Sequence, residues 1–122
     1  MRYLTEDDRL LEDIKTIKEM LGHRCKKVAI FGSTIKRGLG KATDIDLALF
    51  LEAPSAEYVI NCLKNAKLNY RFNSKRVAFS YGGGGGIKED GNIKEFDMVV
   101  LDNKNPDSTF MLKNDAFLRY VH

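Results

Sequence analysis

The chain has little of what marks a secreted, membrane-embedded or zinc-bound protein. It carries only two cysteines, Cys25 and Cys62, far apart and without ligand spacing. A small secreted domain held by disulfides needs more of them, so reduced thiols in a cytoplasmic protein are expected. No apolar stretch approaches the roughly 20 residues of a membrane span. The opening segment, MRYLTEDDRL, has acids where a signal peptide has its apolar core, so no membrane partner is expected. Zinc-finger spacing, an aromatic RNA-binding block, a strongly basic helix, internal repeats and long linkers are all lacking. The formal charge of +3 is mildly basic. It permits a phosphate-bearing ligand and leaves nucleic acid open as a partner without indicating it.

What is present is ordinary globular composition. Apolar residues make up 43% and charged residues 30%, which excludes disorder. A chain of 122 residues can bury a small core, and a single domain over 1–122 is expected.

Hydropathy divides the chain into elements. Over 5–21, Leu10, Ile14, Ile17 and Leu21 recur at helical steps, acids crowd the first turn, and Gly22 follows as a C-terminal cap. Thr5 with Asp8 resembles a capping box. The continuous apolar run 28–31 reads as a strand covered on both faces. A helical turn over 33–36 and a Gly38-Leu39-Gly40 connector lead to a second strand, 45–51. Ser55 caps a second helix to about Lys67, with Val59, Cys62, Leu63 and Ala66 as its apolar stripe. Short strands follow over 69–72 and 76–81, joined by 73–75, and five glycines occupy 82–86. After the turn signal Asp90-Gly91 comes a strand over 93–101, then a polar loop over 102–108. A last helix over 115–120 is expected, with Asn114 as its cap. The fold class is therefore α/β in the α+β sense, a mixed β-sheet with helices packed mainly on one face.

The chemistry gathers around residues 28–50. Asp44 and Asp46 flank Ile45, and side chains two apart on a strand share a face, ~6–7 Å apart along the backbone. Two acids at the mouth of an apolar strand repel each other unless a cation offsets them. Oxygen ligands without a nearby histidine point to magnesium or manganese. An Asp-x-Asp alone, a pattern common by chance, is more often a turn cap plus a solvated strand end. Gly32-Ser33 adds a turn at the end of a strand whose N–H groups can receive an anion. Asp97 adds a third acid, inside the otherwise apolar run FDMVV, where a carboxylate is a liability unless it shares a site.

Phe31-Gly32-Ser33, ten intervening residues, then Asp44-Ile45-Asp46 resembles the signature of DNA polymerase β-like nucleotidyltransferases. Asp97 stands where that superfamily carries its third carboxylate, on a later strand. The resemblance implies a palm-like sheet and a reaction: a nucleoside monophosphate passes from a triphosphate, ATP in the first instance, to an acceptor hydroxyl. It implies Asp44, Asp46 and Asp97 as catalytic and metal-holding residues for two divalent ions about 4 Å apart. Gly32 and Ser33 would hold the β- and γ-phosphates, with Lys36 and Arg37 helping to neutralise them. Arg37-Gly38 sits one place later than the family's small-residue–Arg–Gly sequence, and Thr43 replaces a common Ser.

The five glycines are not a Walker loop, since Ile87 follows Gly86. They read as a flexible connection, or as a mobile loop on the acceptor side. The run RVAFSY resembles a strand of poly(A)- and oligoadenylate-synthesising relatives, in which Arg76, Ser80 or Tyr81 could face the substrate. Only about 20 residues follow Leu101, so a separate helical substrate domain is not expected. The resemblance is to minimal members that act with a helical HEPN-type protein, as antitoxins that adenylylate their toxin. An RNA-tailing or aminoglycoside-like enzyme, and a non-catalytic nucleotide- or partner-binding module, are the alternatives.

Overall fold

The computed structural model describes residues 8–32, 35, 44–79, 95–114 and 118–121. Helix α1, Asp8–Leu21, turns Leu10, Ile14, Ile17 and Leu21 fully inward, as their spacing dictates. Gly22 ends it at φ +68°, a left-handed conformation that glycine takes without steric cost. A 3₁₀ turn, Gly22–Arg24, then delivers the chain to the sheet. Thr5 lies outside the described residues.

The sheet has five strands: β1 (Cys25–Ile30), β2 (Asp44–Leu51), β3 (Val77–Phe79), β4 (Glu95–Asp102) and β5 (Arg119–Tyr120). Their order is β3-β4-β2-β1-β5. β1 is antiparallel to both β2 and β5, whereas β2 and β3 are parallel to β4. The sheet is thus mixed. One face carries Val28, Ile30, Ile45, Leu47, Leu49, Leu51, Phe96, Met98 and Val100 in a single cluster with α1 and with Val59 and Leu63 of helix α2, Ala56–Leu63. Burying a side chain of this size contributes about 1.5–3 kcal/mol. The opposite face carries Ala29, Phe31, Ala48, Phe50, Val99 and Leu101, covered by Phe110 of helix α3, Ser108–Asn114. Two of the three α-helices among the described residues therefore share one face.

The caps explain where the helices begin. Ser55 accepts a hydrogen bond from the Tyr58 N–H at 3.2 Å, as its type and position imply. Asp107 accepts from the Phe110 N–H at 2.8 Å, opening α3. The Tyr58 hydroxyl donates to the Leu21 carbonyl at 2.6 Å and ties α2 to the end of α1. Both cysteines are free thiols, Cys25 buried and Cys62 partly so.

Three expectations are corrected. The second helix stops at Leu63, short of Lys67. Residues 69–72 do not pair as a hairpin with the next strand. They make only an isolated parallel bridge, Arg71 to Glu95, and Ser74–Arg76 is a 3₁₀ turn. The backbone N–H groups of Asn69 and Tyr70 donate instead to the buried Asp13 carboxylate of α1, at 2.7 and 2.8 Å. A segment so anchored has no free donors there for a ladder. Of the helix expected over 115–120, residues 115–117 lie outside the described residues, while Arg119–Tyr120 is an edge strand paired with Ala29 and Ile30, and Asn114 belongs to an earlier helix, α3. Gly38 to Gly40, Ser80, Tyr81, the five glycines at 82–86 and Asp90-Gly91 lie outside the described residues. Among the described residues, no helix is long and apolar enough to cross a membrane.

Candidate active site

The site lies on the face that carries α3, near the N-terminal ends of β2 and β4. Strand alternation puts Ile45 and Leu47 into the core beneath α1, so Asp44 and Asp46 take the other face with Ala48 and Phe50. On β4 the same alternation sends Phe96 and Met98 inward and turns Glu95 and Asp97 to the acidic side. The two strands run parallel in a register that pairs Asp44 with Glu95 and Asp46 with Asp97. Four acids from two strands thus form a compact square, a juxtaposition that only the register creates.

Gly32 meets this square from β1. The Phe31 N–H donates to the Asp46 carbonyl at 3.0 Å, extending the β1–β2 pairing by one residue. The chain then turns at Gly32, φ +65°, and the Gly32 carbonyl accepts from the Ile35 N–H at 3.1 Å. A Cβ at Gly32 would lie 3.4 Å from Asp46 Oδ2 and 3.9 Å from Asn114 Oδ1. Glycine therefore keeps the backbone close to the carboxylate. Phe31 packs edge-on against Phe110, with ring centroids 4.9 Å apart, and Asn114 Nδ2 donates to the Phe110 carbonyl at 3.0 Å. Through these contacts α3 closes one side of the site.

Arg76 reaches the same square from the 3₁₀ turn before β3. Its Nη2 donates to Asp44 Oδ2 at 3.1 Å and to Asp97 Oδ2 at 3.2 Å. Its Nε lies 3.4 Å from Glu95 Oε1. The guanidinium side chain is only 5% exposed, against 21% for Asp44 and 22% for Asp97. Burial pushes the Asp97 carboxyl up to about 6; Arg76 pulls it down, while Asp46 and Asp44 push it further up by like-charge repulsion. The rise at Asp97 comes first from burial, which the arginine in contact only partly offsets.

The sequence-predicted residues divide accordingly. The structure brings Gly32, Asp44, Asp46 and Asp97 together. Ser33, Lys36 and Arg37 lie outside the described residues. Sequence reasoning missed Glu95, which alternation from Asp97 marks as sharing its face. It named Arg76 only as one of three residues that could face the substrate. Asn114 was expected as a helix cap and instead stands beside Gly32.

The donor set suits a hard divalent cation. It consists of carboxylate oxygens, mutually repelling and partly exposed, the ligands magnesium and manganese take. Among the described residues no three acidic, imidazole or thiol side chains close around one point. The Arg76 nitrogen stands between Asp44 and Asp97 instead. A cleft of about 410 Å³, lined by Pro54, Phe79, Leu101, Asp102 and Asp107, lies toward the other end of β4 and includes none of the four acids.

No protein-family model, no curated protein and no solved structure matches this chain.

Proposed function

We propose that this chain is a metal-dependent nucleotidyltransferase of the DNA polymerase β-like kind, which transfers a nucleoside monophosphate from a triphosphate to an acceptor hydroxyl. The observation that carries the reading is the in-register meeting of Asp46 with Asp97, with Asp44 on the same face and Gly32 against Asp46. Asp44, Asp46 and Asp97 would hold magnesium or manganese. Such ions, when bound, neutralise the triphosphate and polarise its α-phosphate.

Each residue then has a distinct task. Gly32 leaves the approach to Asp46 open to a phosphate group. Ser33, Lys36 and Arg37 carry the remaining phosphate contacts in this reading, on the strength of the sequence motif. Asp97, on the same face as the two other acids, would take the proton of the acceptor hydroxyl. The acceptor oxygen bonds to the α-phosphorus as the bond to the β-phosphate's bridging oxygen breaks. Pyrophosphate leaves with that electron pair, and the hydroxyl proton passes to an Asp97 oxygen. Positioning and charge neutralisation supply most of the acceleration.

The test is label transfer from α-labelled ATP in magnesium to three acceptors offered separately: a HEPN-type helical protein, an RNA 3′ end and an aminoglycoside. Labelling of the protein acceptor makes the chain an adenylylating antitoxin; labelling of RNA or drug makes it a tailing or modifying enzyme. The Asp44→Asn/Asp46→Asn double variant is expected to be inactive. Transfer that survives in that variant sinks the assignment, and triphosphate binding without turnover makes the chain a binding module.

A further inference from the structure

We propose that Arg76 is a built-in counter-cation of the acid square, which competes with the divalent ions for Asp44 and Asp97 and thereby sets their affinity. This deepens the nucleotidyltransferase reading and rests on it.

The argument begins with charge. Four carboxylates face one another across β2 and β4, and the Arg76 guanidinium contacts three of them. A surface ion pair contributes little, but this arginine is almost wholly buried, where an unbalanced charge is costly. Its guanidinium faces three of the acids: Nε lies 3.4 Å from Glu95 Oε1, while Nη2 donates to both Asp44 and Asp97, which belong to the predicted metal-holding set. Asp44 and Asp97 are diagonal in the square, and the arginine bridges them. A cation drawn between them must displace the Nη2 contacts. Local charge neutralised by arginine is charge withheld from the metal, so Arg76 weakens metal binding while keeping the metal-free fold intact.

The experiment measures manganese binding by electron paramagnetic resonance, without nucleotide or acceptor. It compares the unsubstituted protein with Arg76→Gln and Arg76→Lys. Arg76→Gln is expected to bind manganese at least about tenfold more tightly and to melt at a lower temperature until manganese is added. Arg76→Lys keeps the charge but loses the planar fork, so it should fall between the two. If Arg76→Gln does not fold, the lysine variant decides: binding tighter than the unsubstituted protein supports the proposal, and equal or weaker binding overturns it. Manganese binding that is unchanged or weakened in a folded Arg76→Gln protein, with normal binding in the unsubstituted one, overturns the role of Arg76 alone. Absence of manganese binding in all three proteins overturns the metal site itself and the enzyme reading with it.

Discussion

Asp46 on β2 and Asp97 on β4 are direct partners across two parallel strands. Like charges placed opposite each other destabilise a sheet. Here they sit beside a third and a fourth acid, so the pairing costs stability that a bound cation would restore. Replacing Asp97 with Asn keeps the shape and an acceptor for Arg76 while removing the charge and the proton acceptor. Transfer of label from ATP is expected to fall about 10²–10⁴-fold. Metal-free thermal stability should hold or rise. A fall in stability together with unchanged transfer would count against the site.

Gly32 is the second place where geometry constrains function. Its φ of +65° is unfavourable for any residue with a Cβ, by roughly 1–2 kcal/mol. A methyl there would meet Asp46 Oδ2 at 3.4 Å, ordinary contact distance, so the strain is conformational and not a clash. Gly32→Ala should therefore lower stability by about 1–2 kcal/mol in urea denaturation. It should lower transfer more than that loss explains, because the methyl occupies the approach to Asp46. An alanine variant with full activity would show that no phosphate passes there.

Much of this arrangement was legible from residue spacing, and the missing parts have physical reasons. Helix α1 and strands β1, β2 and β4 follow from apolar periods of helix and strand type, and Ser55 from cap chemistry. Asp44, Asp46 and Asp97 were visible as acids in apolar company. That β4 lies beside β2, in a register matching Asp46 to Asp97, is a long-range pairing that no local pattern encodes. The role of Asp13 was hidden for the same reason. It sits among apolar helix positions like a surface acid, yet its partners are backbone N–H groups of Asn69 and Tyr70, more than fifty residues away. With those donors engaged, strand-like residues 69–72 take no strand. Helix α3 was missed because its cap, Asp107, lies in a segment whose polar residues read as loop.

Asp13 accordingly predicts a stability effect without a catalytic one. It is 1% exposed and accepts from the Asn69 N–H, the Asn69 side-chain amide at 3.0 Å and the Tyr70 N–H. Asp13→Ala leaves those donors without their acceptor, at a cost of about 2–3 kcal/mol. The denaturation midpoint should drop accordingly, while manganese affinity of the folded protein stays unchanged. Asp13→Asn keeps one acceptor oxygen and should lose less. Equal stability of the alanine variant would mean that water replaces the carboxylate without penalty.

The Asp97 carboxyl also gives the metal-free protein a pH dependence with a definite sign. Its value rises from 3.8 to about 6 on folding, so the folded chain binds the proton more tightly than the unfolded one. Between those values the folded state retains a proton that the unfolded state has released. Stability therefore falls as pH rises through this window and levels off above it. The full effect amounts to about 3 kcal/mol at most. Burial raises the carboxyl of Asp13 as well, which adds a fall of the same sign. Subtracting the behaviour of Asp97→Asn isolates Asp97. Urea denaturation at pH 4 and pH 7.5 should show the asparagine variant gaining on the unsubstituted protein at the higher pH. Magnesium should shrink that gain, since a cation beside Asp97 lowers its proton affinity in the folded state. A difference between the two proteins that stays constant from pH 4 to 7.5 would show that Asp97 is ionised as easily in the fold as in the open chain.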